Sequence, residues 1–140
     1  LKSRSCKNKG YRLQVETRDK ILAALGVSEA DVLSRSMGSA GADICLSQAA
    51  RDKLPIAFEC KYTERLEVWD ALKQAEANAK KEGLAPCVVF RRNRSETYAI
   101  LRFDDLLHLL VSAKQKAEGG EQKAESGEQR AERLNNSKDN

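Results

Sequence analysis

Asp43, Glu59 and Lys61 are the residues of this chain whose types and spacing could most directly do chemistry. They sit in two short apolar runs, Gly41-Ala42-Asp43-Ile44-Cys45-Leu46 and Ile56-Ala57-Phe58-Glu59-Cys60-Lys61, which carry charge where a strand ordinarily carries none. Successive side chains of a strand point to opposite faces. Glu59 and Lys61 therefore share one face, while Ile56, Phe58, Cys60 and Tyr62 line the other. With Asp43 on a neighbouring strand, two carboxylates and one ammonium converge at one end of a small sheet. Carboxylate oxygens are the hard ligands that Mg²⁺ prefers. Such a cation can hold a phosphate and activate a water, while a lysine steadies the charge that develops. The combination points to metal-assisted cleavage of a phosphodiester.

The elements that must position these groups are legible in the surrounding pattern. Leu13, Ile21, Leu22 and Leu25 recur at helical spacing from Tyr11 to Leu25, with Gly26 as a stop. Ser28 can cap a short helical turn. The Ser- and Gly-rich stretch 35–41 leads into a strand over 42–47, a connection follows over 48–54, and Pro55 to Tyr62 forms the motif strand. A helix is predicted from Glu67 to Lys81, with Trp69, Leu72, Ala75 and Ala79 on its apolar face and Gly83 ending it. Cys87 to Phe90 reads as a strand covered on both faces. A further strand over Thr97–Arg102 and a closing helix over Leu106–Ala113 complete the pattern. His108, the single histidine, lies in that closing helix and reads as a packing or surface residue rather than a catalytic one.

Asp43 followed by Glu59-x-Lys61 on adjacent strands resembles the core of the PD-(D/E)XK nuclease superfamily, with Ala42 in place of the proline expected before the aspartate. Within it, the chain is similar to small phage and archaeal-type Holliday-junction resolvases. The likeness is carried by Lys9-Gly10 ahead of a helix, Ser36 to Ser39 ahead of Asp43, Glu59-Cys60-Lys61, and Gln74-Ala75-Glu76 on the next helix. The resemblance implies an α/β, restriction-endonuclease-like core over residues 11–113, with a central mixed sheet of four to five strands flanked by helices.

It also implies Mg²⁺ or Mn²⁺ held by Asp43, Glu59 and the backbone carbonyl of Cys60, with Gln74 supporting the lysine or the attacking water. Lys61 would orient or deprotonate that water or stabilise the pentavalent phosphate. Beside carboxylates it stays charged, so charge stabilisation is the safer role. In such enzymes an acidic residue on the first helix completes the metal site. Spacing from Gly10 points to Gln14 and charge points to Glu16, two residues or about 200° of helix apart. Cleavage would leave a 5′-phosphate and a 3′-hydroxyl. The implied substrate is DNA, branched DNA foremost, cut by a homodimer in the cytoplasm of a prokaryotic or phage-infected host cell.

With 140 residues the chain accommodates one domain and a real core. Its net charge of +4 is modest, but basic residues cluster from Lys2 to Arg12 and again at Arg91-Arg92-Asn93-Arg94. Such clusters neutralise phosphates without reading sequence. The candidate DNA contacts are Lys7, Lys9, Arg12, Arg35, Ser36, Ser39, Arg91, Arg92 and Arg94. Residues 1–10 read as a basic flexible arm. Residues 114–140, poor in apolar residues and rich in Glu, Gln and Lys, read as a disordered or transiently helical tail. The four cysteines, Cys6, Cys45, Cys60 and Cys87, lack paired spacing and read as free thiols. No apolar run approaches the roughly 20 residues of a membrane span, and no signal peptide is expected.

Three rival readings follow from the same residues. One is a nuclease of another DNA substrate, restriction-like, repair or end-processing, since fold alone does not settle substrate. Another is a non-catalytic DNA-binding protein on the same scaffold. The third makes Glu59–Lys61 a surface ion pair, worth little energetically, and leaves Asp43 unexplained.

Overall fold

The buried strand runs Ile56–Cys60 and Pro86–Val89 lie side by side as the two longest strands of the fold. The computed structural model describes residues 4–136, and side chains over residues 4–120. Two compact units divide the chain at Arg102 and Phe103. The first comprises α1 (Arg4–Leu25), a single 3-10 turn (Glu29–Asp31), β1 (Val32–Ser34), β2 (Ile44–Leu46), α2 (Gln48–Lys53), β3 (Ile56–Tyr62), α3 (Val68–Glu82), β4 (Ala85–Arg91) and β5 (Tyr98–Leu101). The second contains one helix, α4 (Phe103–Asn136).

β3 and β4 pair in parallel from Ile56 opposite Ala85 to Tyr62 opposite Arg91, with α3 as the crossover that a parallel pair requires. β5 returns antiparallel along β4. β1 and β2 form a separate antiparallel pair. The sheet is therefore a three-stranded mixed sheet beside a two-stranded one, in place of the expected central sheet of four to five strands. β2 pairs with β1 and shares no ladder with β3. It follows Gly41, whose φ of +108° turns the chain, and it ends at Ser47, whose hydroxyl caps α2 by accepting from the Ala50 N–H. One backbone bond spans the seam, from the Asp43 N–H to the Phe58 carbonyl at 2.9 Å. Asp43 thus lies just before β2.

α3 packs closely on this sheet because the side chains it buries, Ala71, Ala75 and Ala79, are small and four residues apart. Ala75 and Ala71 pack with Val88, and Ala79 with Ala42 and Ala57. Gly83 ends the helix at φ +65°. Trp69, expected on the apolar face, is 83% exposed. It precedes Ala71 by two residues, about 200° around the helix.

α1 buries Leu13, Gln14, Thr17 and Ile21. It begins at Arg4, whereas the apolar pattern predicts a helix only from Tyr11. Lys9 anchors that early turn by donating to Asn93 Oδ1 at 2.9 Å and lying over the Tyr62 ring. Residues 48–54, expected as a plain connection, form α2. α4 runs on through Asn136, past the point where the sequence pattern places a tail. Its Ala, Glu, Gln, Lys and Arg content consists of strong helix formers, and a Lys114–Glu118 pair bridges one turn. Residues 1–3 and 137–140 of the expected arm and tail lie outside the described residues.

Candidate active site

β3 determines where each reactive group points. The Phe58 carbonyl and the Cys60 N–H both face Asp43, the first accepting from its backbone N–H and the second donating to its Oδ2 at 2.7 Å. The N–H and C=O of one strand residue point to the same side. The Cys60 carbonyl is therefore turned to that edge as well. Glu59 and Lys61 project from the face covered by α3, where Glu59 is 3% exposed.

A buried carboxylate needs partners on its oxygens, and Glu59 has them. Lys61 Nζ donates to Glu59 Oε1 at 2.9 Å, and Asn78 Nδ2 donates to Glu59 Oε2 at 3.2 Å. Lys61 Nζ also donates to Gln74 Oε1 at 2.7 Å. Gln74 and Asn78 are one helical turn apart, so α3 holds both members of the Glu59–Lys61 pair. Burial pushes the Asp43 carboxyl up to about 6, with the Glu59 charge adding to the rise. The Cys60 N–H, Lys61 and Arg35 oppose it. Burial, with Asp43 nearby, pushes the Cys60 thiol up to about 12, so at neutral pH it stays protonated, donating to Thr17 Oγ1 at 3.8 Å, and offers no thiolate.

A cleft of about 800 Å³ opens on these groups and is lined by Gln14, Asp43, Glu59, Cys60, Lys61 and Gln74, among others. Gln14 is buried, and its Oε1 has no hydrogen-bond partner. Glu16 does not line the cleft and instead pairs with Arg91.

The chain matches, over residues 5–132, the model of the family described as "Phage putative PDDEXK endonuclease". It belongs to that family. No curated protein and no solved structure matches the chain. The match places it in the PD-(D/E)XK superfamily, whose members use divalent metals.

The donor set of this family member fits such an ion. Among the described residues no three His, Cys, Asp or Glu side chains cluster as a metal site. Asp43 and Glu59 line one cleft, and buried Gln14, whose amide oxygen has no hydrogen-bond partner, lies in the wall of the same cleft. All three are hard oxygen donors of the kind Mg²⁺ takes.

The DNA-contact candidates scatter. Lys7, Lys9 and Ser39 line the cleft. Arg35 Nε donates to the Ala42 carbonyl at 2.7 Å, and the Ser36 carbonyl accepts from the Ser39 N–H. Arg12, Arg92 and Arg94 are exposed and lie outside the cleft lining. Sequence reasoning missed Asn78 and Asn93. Asn78 was findable, because it lies one turn beyond Gln74 on the same face. Asn93 was hidden inside a basic run, yet its Oδ1 receives both Lys9 and the Tyr62 hydroxyl, and its N–H donates to Glu64. Cys45, Cys60 and Cys87 are free thiols, with Cys60 and Cys87 buried.

Proposed function

We propose that this chain is a Mg²⁺-dependent DNA endonuclease that hydrolyses phosphodiester bonds, with branched DNA such as a four-way junction as its substrate and a homodimer as its working form. Mn²⁺ would serve in place of Mg²⁺. The observation that carries this reading is the meeting of Asp43, Glu59 and Lys61 in one cleft, with Lys61 bonded to both Glu59 and Gln74.

Asp43, Glu59, the Cys60 carbonyl and Gln14 Oε1 would hold the cation, with Gln14 taking the first-helix position in preference to Glu16. When bound, the cation polarises the phosphate and lowers the pKa of a water. The Lys61 amine, beside Glu59, supports the negative charge that builds on the phosphorus oxygens. Gln74 fixes the amine's direction, since an acceptor on the far side of Nζ limits its rotation. Lys7 and Lys9, at the cleft wall, neutralise backbone phosphates. Water attacking in line with the scissile bond leaves a 5′-phosphate and a 3′-hydroxyl. Among the described residues no helix is long and apolar enough to cross a membrane. The proposed setting is the cytoplasm of a prokaryotic or phage-infected cell.

The test is cleavage of matched four-way-junction and linear-duplex DNA, with Mg²⁺ or EDTA, by wild type and Glu59→Ala. Paired symmetric nicks confined to the junction, abolished by EDTA and by the substitution, are expected. Equal cutting of both DNAs would keep the chemistry and remove the junction assignment. No cutting in either Mg²⁺ or Mn²⁺ would favour a non-catalytic DNA-binding protein.

A further inference from the structure

Asp43 lies just outside both sheets' ladders, and beyond the bond of its own N–H to the Phe58 carbonyl something must hold this backbone. Arg35 does so at two points. Its own N–H donates to the Asp43 carbonyl at 2.7 Å, and its side-chain Nε donates to the Ala42 carbonyl at 2.7 Å. The segment between them, Ser36 to Gly41, is a closed loop with its own turn, the Ser39 N–H bonding to the Ser36 carbonyl at 3.1 Å. Met37, Gly38, Ser39 and Gly41 of this loop line the catalytic cleft.

Gly41 shows how tightly the clamp closes. Its φ is +108°, and a Cβ built there would stand 3.1 Å from the Arg35 guanidinium carbon. The guanidinium therefore lies against bare backbone, closer than a side chain there would ordinarily allow. From there it supplies fixed positive charge next to the carboxylate. With its Nε on the Ala42 carbonyl, the guanidinium is held in place rather than free to swing onto a phosphate, the role its charge alone suggests.

We propose that Arg35 is a positioning residue: it clamps the 36–41 loop shut at its base and thereby sets Asp43 against Cys60, without itself contacting DNA. This role rests on the nuclease reading for its catalytic meaning, but the clamp has a readout that needs neither metal nor DNA. The Cys60 N–H is donated to the Asp43 carboxylate, so its exchange with solvent reports whether Asp43 is in place.

The experiment compares wild type, Arg35→Gln and Arg35→Lys by amide hydrogen exchange, by DNA binding across a salt series in EDTA, and by kcat and KM for cleavage in Mg²⁺. Lysine keeps the charge but lacks a donor at the Nε position. Both variants are expected to speed Cys60 exchange about ten-fold, with the Val88 amide unchanged as a check on the fold. Both should lower kcat about ten-fold at unaltered KM, as a misplaced ligand does. DNA affinity and its salt slope should not move. The proposal is overturned if Cys60 exchange is unchanged, or if Arg35→Gln weakens DNA binding with a salt slope lower by about one while Arg35→Lys restores it. Should Arg35→Gln fail to fold, Cys60 exchange in Arg35→Lys decides: faster exchange supports the clamp and unchanged exchange overturns it. If wild type cuts no DNA, the nuclease reading falls by itself, and Cys60 exchange still decides the clamp.

Discussion

Asp43 and Cys60 are joined by a 2.7 Å hydrogen bond from a backbone N–H to a side-chain carboxylate, across the seam between the two sheets. The same carboxylate that faces the cleft therefore also satisfies a buried backbone donor. Chemistry and fold meet in one side chain.

Two substitutions at Asp43 should separate those roles. Asp43→Ala leaves the Cys60 N–H without its acceptor and is expected to destabilise the protein by about 1–3 kcal/mol, as well as abolishing cleavage. Asp43→Asn keeps a side-chain oxygen for that N–H while removing the charge. Near pH 4, where Asp43 is itself protonated in the fold, it should unfold within about 1 kcal/mol of wild type, and it should be inactive at every pH. Urea denaturation read beside a cleavage assay checks both, and equal stability loss in the two variants would count against the seam role.

The pH dependence has a definite sign. The folded Asp43 carboxyl is raised from 3.8 to about 6, chiefly by burial. A raised acid pKa means that the fold favours the protonated form. The associated stability is present below the unfolded value and is lost as pH rises through about 6. Metal-free wild type should therefore lose on the order of 2 kcal/mol relative to Asp43→Asn between about pH 4 and pH 7. Urea midpoints of the two proteins across that range, in EDTA, provide the measurement. Parallel curves would refute it.

Lys61 and Glu59 are unequal partners, with the lysine side chain 29% exposed and the glutamate 5%. Removing the lysine strips a nearly buried carboxylate of its cation and leaves only Asn78 on it. Lys61→Ala is expected to cost about 1–3 kcal/mol and to lower kcat by 10²-fold or more, with DNA affinity nearly unchanged. In Lys61→Ala/Glu59→Gln the stability should partly return, because the uncompensated charge is gone. Thermal melts of the single and double variants measure that recovery.

Gln14 and Glu16 make opposite predictions for metal binding. Gln14 carries an orphaned oxygen in the cleft wall, while Glu16 is paired with Arg91 away from it. Gln14→Leu should weaken Mn²⁺ binding about ten-fold, and Gln14→Glu should strengthen it by adding charge. Glu16→Gln should leave it unchanged. Calorimetric titration with Mn²⁺ distinguishes these, and a loss confined to Glu16→Gln would reverse the assignment.

The chemistry of the site was written in local pattern. Strand alternation alone places Glu59 and Lys61 on one face, because side-chain direction in a strand depends only on position. Helical spacing likewise located α3, its Gly83 stop and Gln74. What local pattern could not supply was partnership. Trp69 is apolar yet exposed, because three small alanines, rather than the largest side chain, form the face that lets α3 approach the sheet. The start of α1 at Arg4 follows Lys9's contacts with Asn93 and Tyr62, residues far along the chain. Spacing and charge leave Gln14 and Glu16 both open; in the fold Gln14 lies buried in the cleft wall and Glu16 pairs with Arg91. The sequence by itself determined which side chains carry charge and donor atoms on one strand face, because that depends on residue type and local period. The tertiary structure alone decided which of them meet, because burial and hydrogen-bond partners are properties of segments brought together from across the chain.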